Sequence, residues 1–249
     1  MTNFKFSIIT VVKNDENNIA KTINSVLDQR QFVKLEYILI DGNSSDKTLD
    51  IIKSYSTQID RVVSENDLGI YHAMNKAISL STGDIIGICN SGDIIFPKGL
   101  FYVNKKFGKN YDFVFGTVIR KYLGENILKY GFNKKRIFYN FDFATAHSTG
   151  FYVKNTVMKL IGNYNTKFKC SSDYDYYFRL IDSNNFIGSS TGKDEIVGEV
   201  ASGGYSSKLS FYQHLMEETK IRLHNKQNVL IVILIFTNAI FKNFLKKFK

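Results

Sequence analysis

The stretch Phe6-Ser7-Ile8-Ile9-Thr10-Val11-Val12-Lys13-Asn14-Asp15 decides the architecture. Its first seven residues form a short apolar run rich in β-branched side chains, the pattern of a strand buried on both faces. Lys13-Asn14-Asp15 ends it, and Ile19, Ile23, Val26 and Leu27 then recur at helical spacing. The same alternation repeats downstream. Leu35 to Ile40 is a second strand-like run, closed by Asp41-Gly42-Asn43. Ser44 or Ser45 is placed to cap a helix carrying Leu49, Ile51 and Ile52. Arg61 to Ser64 is a third, weaker strand, followed by the polar turn Glu65-Asn66-Asp67 and a helix with Ile70, Met74, Ala77 and Ile78 on one face. Ile85 to Cys89 is a fourth strand-like run, closed by Asn90-Ser91-Gly92-Asp93.

Strands alternating with helices at this interval predict βαβ units and an α/β fold with a mostly parallel sheet. Such sheets bind ligands beyond the carboxyl ends of their strands. Asn14, Asp41, Asp67 and Asp93 fall at those ends. For any single loop, Asp, Asn and Gly making a turn is the simpler reading. Four polar strand ends in a row favour a site. A lone Asp93 would suit a divalent cation that also takes phosphate oxygens.

Composition bounds the rest. The 249 residues are 44% hydrophobic, contain one proline and show no linker, so one main domain with an appended C-terminal element is expected. The net charge of +10 points to an anionic partner: nucleic acid, a phosphate-bearing substrate or an anionic membrane surface. Cys89 and Cys170 lie far apart, with neither metal-ligand spacing nor a disulfide framework. The polar start, Met1 to Lys5, does not read as a signal peptide, and together these features lead us to expect a cytoplasmic protein.

Four segments resemble, in order, family 2 glycosyltransferases of the GT-A fold. They are Ser7 to Asn14, Ile40 to Thr48, Ser64 to Ala77 and Thr82 to Asp93, and the third is closest to bacterial surface-polysaccharide enzymes. The resemblance implies a Rossmann-like central sheet flanked by helices and a nucleotide-sugar donor held in its crevice. Thr10, Val12 and Asn14 would line the nucleotide pocket, Asp41 would bind the base (typically uracil), and Asp67 would lie near base and ribose. Asn75, Asn90, Ser91 and Gly92 would complete the donor site, with Asp93 binding Mn²⁺ or Mg²⁺ on the diphosphate. Asn90 and Gly92 stand where acidic residues are common in the family. Ala146 to Tyr152 resembles the segment beneath the acceptor site, with His147 and Ser148 near acceptor or diphosphate; a structural histidine is the alternative. Ser171 to Asp175 resembles the block holding the catalytic base. In that resemblance Asp173 would be the base, with Ser172 replacing a common Glu; a carboxylate stabilising a helix N-terminus is the alternative for Asp173. Asp175, two residues on along a helix, points elsewhere. Gly203 to Ser206 resembles a loop that closes over the donor, though a plain turn reads identically.

The middle of the chain is less periodic. Phe113 to Arg120 and Asn126 to Tyr130 read as strands around a Leu123-Gly124-Glu125 turn. Phe138 to Phe143 is aromatic-rich, Lys134-Lys135-Arg136 is basic, and Val157 to Ile161 and Tyr174 to Ile181 read as helices. Val229 to Phe236 is continuously apolar but too short to span a bilayer. Phe241, Phe244, Leu245 and Phe248 share a helical face opposite Lys242, Lys246 and Lys247, and no Asp or Glu follows Glu218. This predicts a basic amphipathic C-terminal helix that either lies on an anionic membrane or packs on the domain.

The organisation expected is therefore a glycosyltransferase domain over residues 1–225, with a nucleotide-sugar half (1–98) and an acceptor half (99–225), followed by the helix at 226–249. The activity expected is inverting, metal-dependent transfer from a nucleotide sugar to a saccharide or undecaprenyl-linked acceptor, at the inner face of the cytoplasmic membrane. Two other classes compete: a non-catalytic nucleotide-binding subunit and a basic nucleic-acid-binding protein. The second explains the charge but not the acidic strand ends, which would repel a phosphate backbone, so nucleic acid is not expected as a partner.

Overall fold

A computed structural model describes residues 4–122, 124–139, 147–203 and 209–245. The order is β1 (Lys5–Val12), α1 (Ile19–Leu27), β2 (Lys34–Asp41), α2 (Thr48–Ser54), β3 (Arg61–Ser64), α3 (Ile70–Leu80), β4 (Ile85–Ile88), β5 (Ile94–Ile95), α4 (Gly99–Phe107), β6 (Phe113–Phe115), β7 (Thr117–Tyr122) and β8 (Glu125–Lys129). Then follow α5 (Lys134–Tyr139), β9 (Phe151–Lys154), α6 (Asn155–Ile161), α7 (Ser172–Asp182), β10 (Gly188–Ser190), β11 (Ile196–Val200), α8 (Phe211–His224) and α9 (Val229–Leu245).

A seven-stranded sheet runs β10-β6-β9-β4-β1-β2-β3. Its half formed by β4, β1, β2 and β3 is wholly parallel, as the alternation predicts. β9 enters antiparallel between β4 and β6. Strands from both sides of residue 98 thus share one sheet. β1 is buried from Phe6 to Val12 and mostly apolar because both its faces are covered. Ile9 and Val11 join α3 residues Met74 and Ala77 in one layer, while Phe6, Ile8 and Val12 join Ile23 and Val26 of α1 in the other.

A smaller, four-stranded sheet runs β5-β11-β7-β8. It corrects the reading of Phe113 to Arg120 as a single strand. Gly116 interrupts the run, leaving β6 in the large sheet and β7 in the small one. A side chain at Gly116 would meet Val197 Cγ2 at 2.6 Å, so only glycine lets the chain cross between sheets there.

Two further expectations change. Neither Ser44 nor Ser45 caps α2. The helix starts at Thr48, and Asp46 Oδ1 accepts the Thr48 N–H at 3.0 Å. The C-terminal element is the helix α9, whose exposed apolar residues start well before Phe241: Leu230, Ile233, Leu234, Phe241 and Phe244 are exposed, as is Lys242, while Val232, Ile235 and Ala239 are buried. Residues 1–3, Leu123, the 140–146 segment (with Ala146 and the end of the aromatic run), the 204–208 part of the proposed closing loop, and Lys246, Lys247 and Phe248 lie outside the described residues.

Candidate active site

Adjacent parallel strands place their loops side by side, and hydrogen bonds stitch those loops into one rim. Ser91 Oγ, after β4, donates to Asp15 Oδ2, after β1, at 2.6 Å. Asn14 donates its N–H to Ser44 Oγ at 2.8 Å, and its Oδ1 accepts the Ser45 N–H at 2.8 Å. Asn43 Nδ2 donates to Asn66 Oδ1 at 3.3 Å, linking the loops after β2 and β3. Asn14 (φ 52°) and Asn43 (φ 58°) both occupy the left-handed region, where a short amide side chain is tolerated. The four predicted strand ends therefore do converge.

Their side chains differ in what they have free. Asp41 is buried and engaged through both oxygens: Ser44 Oγ (2.5 Å), Ser64 Oγ (2.6 Å) and the Ser44 N–H all donate to it. Thr10 is buried too, donating to the Cys89 carbonyl at 2.7 Å and accepting from the Tyr37 hydroxyl. Val12 is buried in the sheet core. Asn75 is spent on the backbone of Tyr164, with bonds of 2.9 Å in both directions. Asp67 Oδ1 meets Lys76 Nζ at 2.7 Å and His72 Nδ1 at 3.0 Å, while its Oδ2 is buried without a partner among the described residues. Asn90 Oδ1 and Ser172 Oγ share that condition. Buried polar atoms are rarely left bare without a ligand or water to meet them, and these three belong to predicted site residues.

Asp93 sits at the centre. Gly92 reaches it through φ +92°, which explains a glycine rather than a carboxylate at this position. Thr22 on α1 pins the turn, accepting the Gly92 N–H at 3.0 Å and donating to the Asp93 carbonyl at 2.8 Å. The Asp93 carboxylate accepts the Ala201 N–H (2.8 Å) and the Thr149 hydroxyl, and its Oδ2 lies 4.0 Å from His147 Nδ1. Burial pushes its pKa up to about 7, against those two hydrogen bonds and with Glu199 adding to the rise. A carboxylate so desolvated is a site where a cation would be accepted readily. Among the described residues no three His, Cys, Asp or Glu side chains converge to hold a metal. The donor set thus fits a cation shared between Asp93 and substrate phosphates, not one caged by protein.

His147 precedes the turn Ser148–Gly150 and accepts the Thr149 N–H at Nδ1 (3.3 Å), which places the ring proton on Nε2. Burial lowers its pKa to about 4, Asp173 opposing and Arg120 assisting, so the ring is neutral near pH 7. Ser148 is buried beside it. Asp173 occupies the first turn of α7, where its Oδ1 accepts the Tyr174 N–H at 2.9 Å and lies 3.3 Å from the Tyr71 hydroxyl. Burial raises its pKa, with His147 and those two contacts opposing. Asp175 points away, bonded to Arg179 Nε and Asn225 Nδ2 at 2.9 Å each. Sequence reasoning missed two neighbours. Tyr71 had no signal beyond its place in a helix. Arg120 stands on the β7 face shared with Val118, which packs over Gly150. Its two-residue offset from Val118 is the only sequence hint.

Residues 7–171 match the family described as Glycosyl transferase family 2. The chain belongs to that family. A PGL/p-HBAD biosynthesis glycosyltransferase of Mycobacterium bovis is 28% identical over 173 residues, 65% of each chain. A putative glycosyltransferase of Bacillus subtilis, EpsE, is 33% identical over 100 residues, 39% of this chain and 36% of its own. An uncharacterized glycosyltransferase of Mycobacterium tuberculosis is 34% identical over 87 residues, so this chain spans only 33% of that relative's length. Among solved structures, Staphylococcus aureus TarS 1–349 in complex with UDP-GlcNAc aligns with TM-score 0.69 at 16% identity, covering 95% of this chain and 71% of TarS. The mannosyltransferase PcManGT of Pyrobaculum calidifontis, in complex with GDP-Man and Mn²⁺, aligns with TM-score 0.66 at 15% identity, covering 95% and 69%. These likenesses establish the GT-A fold for the family 2 chain.

Proposed function

We propose that this chain transfers a sugar, with inversion, from a nucleotide-sugar donor to a hydroxyl of a saccharide or lipid-linked saccharide in bacterial surface-polysaccharide synthesis. One observation carries the reading: Asp93 Oδ2, beyond β4, lies 4.0 Å from His147 Nδ1, and Asp173, at the start of α7, acts electrostatically on that same histidine. A carboxylate for the diphosphate side and one for the acceptor side then flank a single mouth.

In this reading residues 1–98 hold the donor and 99–225 the acceptor. Asp41 and the bare Oδ2 of Asp67 are the two carboxylates offered to the base N–H. Asn90 Oδ1 accepts from the ribose side. Asp93 would hold Mn²⁺ or Mg²⁺ together with the phosphate oxygens; when bound, that ion offsets charge on the diphosphate. Arg120 adds positive charge on the same rim. Asp173 takes the proton of the acceptor hydroxyl. The oxygen attacks the anomeric carbon, the bond from that carbon to the diphosphate breaks, and its electron pair leaves with the nucleoside diphosphate. UDP is the first donor to test; the two solved neighbours are complexes with UDP-GlcNAc and with GDP-Man. Among the described residues no helix is long and apolar enough to cross a membrane, so access to a lipid-linked acceptor would come from a peripheral position on the inner face of the cytoplasmic membrane.

The test is calorimetry with UDP, GDP and a short oligonucleotide, with and without Mn²⁺, followed by product analysis with UDP-sugars. Metal-dependent UDP binding and transfer are expected. Oligonucleotide binding alone would overturn the reading in favour of a nucleic-acid-binding protein, and nucleotide binding without transfer in favour of a non-catalytic subunit.

A further inference from the structure

The helix α9 is apolar on two opposite sides. Val232, Ile235 and Ala239 are buried on the side that meets α8. On the other side Leu230, Ile233, Leu234, Phe241 and Phe244 recur at i, i+3, i+4, i+11 and i+14, a single helical face. Leu230 is 71% exposed, Leu234 67% and Phe241 59%. Soluble surfaces scatter such residues singly; five on one face, interrupted only by Thr237, mark a docking face.

Charge says what docks there. Lys220, Lys226 and Lys242 accompany the two helices, and Lys246, Lys247 and Lys249 follow in the sequence. The last two acids of the chain are turned inward: Glu217 accepts the Lys169 and Cys170 N–H groups, and Glu218 is buried. An apolar ridge on a segment whose charged residues after Glu218 are all basic matches an anionic lipid surface. At about 1.5 Å per residue, 17 residues give roughly 25 Å, and one flank is already occupied by protein, so the helix lies in the interface rather than spanning it.

We infer that α9 seats this protein on an anionic bilayer by inserting the Leu230–Leu234–Phe241–Phe244 face among the lipid headgroups. The seat is rigid with respect to the catalytic helix. Asn225, between α8 and α9, donates to Asp175 of α7 at 2.9 Å, and the Arg222 guanidinium lies 5.3 Å from the Tyr174 ring centroid while donating to the Phe138 carbonyl. Docking therefore orients α7, and Asp173 with it, relative to the membrane plane. The inference deepens the peripheral placement proposed above but does not depend on transfer.

The experiment is flotation of the full chain with vesicles of phosphatidylethanolamine and phosphatidylglycerol, against vesicles of phosphatidylcholine. Binding to the anionic vesicles is expected, weakened by salt. A Leu234→Glu/Phe241→Glu variant should bind them at least about tenfold more weakly with its melting transition and UDP affinity unchanged, since both side chains are exposed. Equal binding by this variant, or equal binding to phosphatidylcholine, would overturn the inference. So would a parent dimer that the variant turns into a monomer, because the face would then belong to a second copy. Absent UDP binding by the parent would sink the transferase reading and leave the membrane seat standing.

Discussion

Asp93 Oδ1 accepts the Ala201 N–H at 2.8 Å, tying the carboxylate beyond β4 to the chain leaving β11 in the small sheet. The bond holds the carboxylate in place before any ligand arrives, so its charge and its position can be separated by mutation. Asp93→Asn keeps the oxygen that meets Ala201 and removes the charge. The Mn²⁺-dependent gain in UDP affinity should fall at least about tenfold, while metal-free affinity stays within a factor of about two. Calorimetry with and without Mn²⁺ measures both, and an unchanged gain removes Asp93 from the metal site.

Asp173→Asn should leave UDP affinity unchanged and lower turnover by about 10²–10⁴. The pH profile carries a second signature. Burial raises the Asp173 pKa, and the base works only when deprotonated. The acid limb of kcat/KM should therefore lie above the ordinary carboxylate range, with activity lost as pH falls through it. A limb at the ordinary value would mean that another group takes the proton.

Glu36 makes a prediction about stability instead. It is buried at the amino end of β2, where burial alone would raise its pKa. Hydrogen bonds from Ser7 and Thr82 and the Lys5 ammonium overcome that and hold it at about 2. A folded pKa below the unfolded one means the contribution is complete above about pH 4.5 and is lost as pH falls towards 2. Glu36→Gln should cost about 1–3 kcal/mol at pH 7 and flatten the urea midpoint across that acid window. A midpoint that still slopes as steeply would place the acid sensitivity elsewhere.

Much of this was legible because buried parallel strands are largely apolar runs: β1, β2 and β4, with the half-polar edge strand β3 and the helices between them, lie where the periodicity puts them. Tertiary choices were not. Nothing local in Phe113 to Arg120 says that Gly116 divides two sheets, since the constraint is Val197, 81 positions away. Helix α8 was overlooked, although Ser210 and Gln213 spell the capping box that starts it. At the site, residue type and position were readable, but not which polar atoms the fold consumes. Asp41 and Asp67 look equivalent in sequence. Only the structure shows Ser44 and Ser64 donating to both oxygens of the first while Oδ2 of the second stays bare among the described residues.

Arg120 offers the sharpest test of the rim. Its strand β7 pairs with β11 so that Arg120 is opposite Val200, next to the Ala201 that meets Asp93. Its charge helps hold His147 at about 4, while Asp173 pulls the other way. Arg120→Gln removes only the first influence, so the His147 pKa should rise, by an amount read directly from its ring protons in an NMR titration. If the same guanidinium faces the donor diphosphate, UDP affinity should fall by about five- to tenfold while uridine affinity does not change. Arg120→Lys should restore His147 to its parent pKa but recover UDP affinity only in part, because a point charge lacks the planar fork. A His147 pKa that does not move would show that Arg120 is too far from the mouth to act there, and the diphosphate role would fall with it.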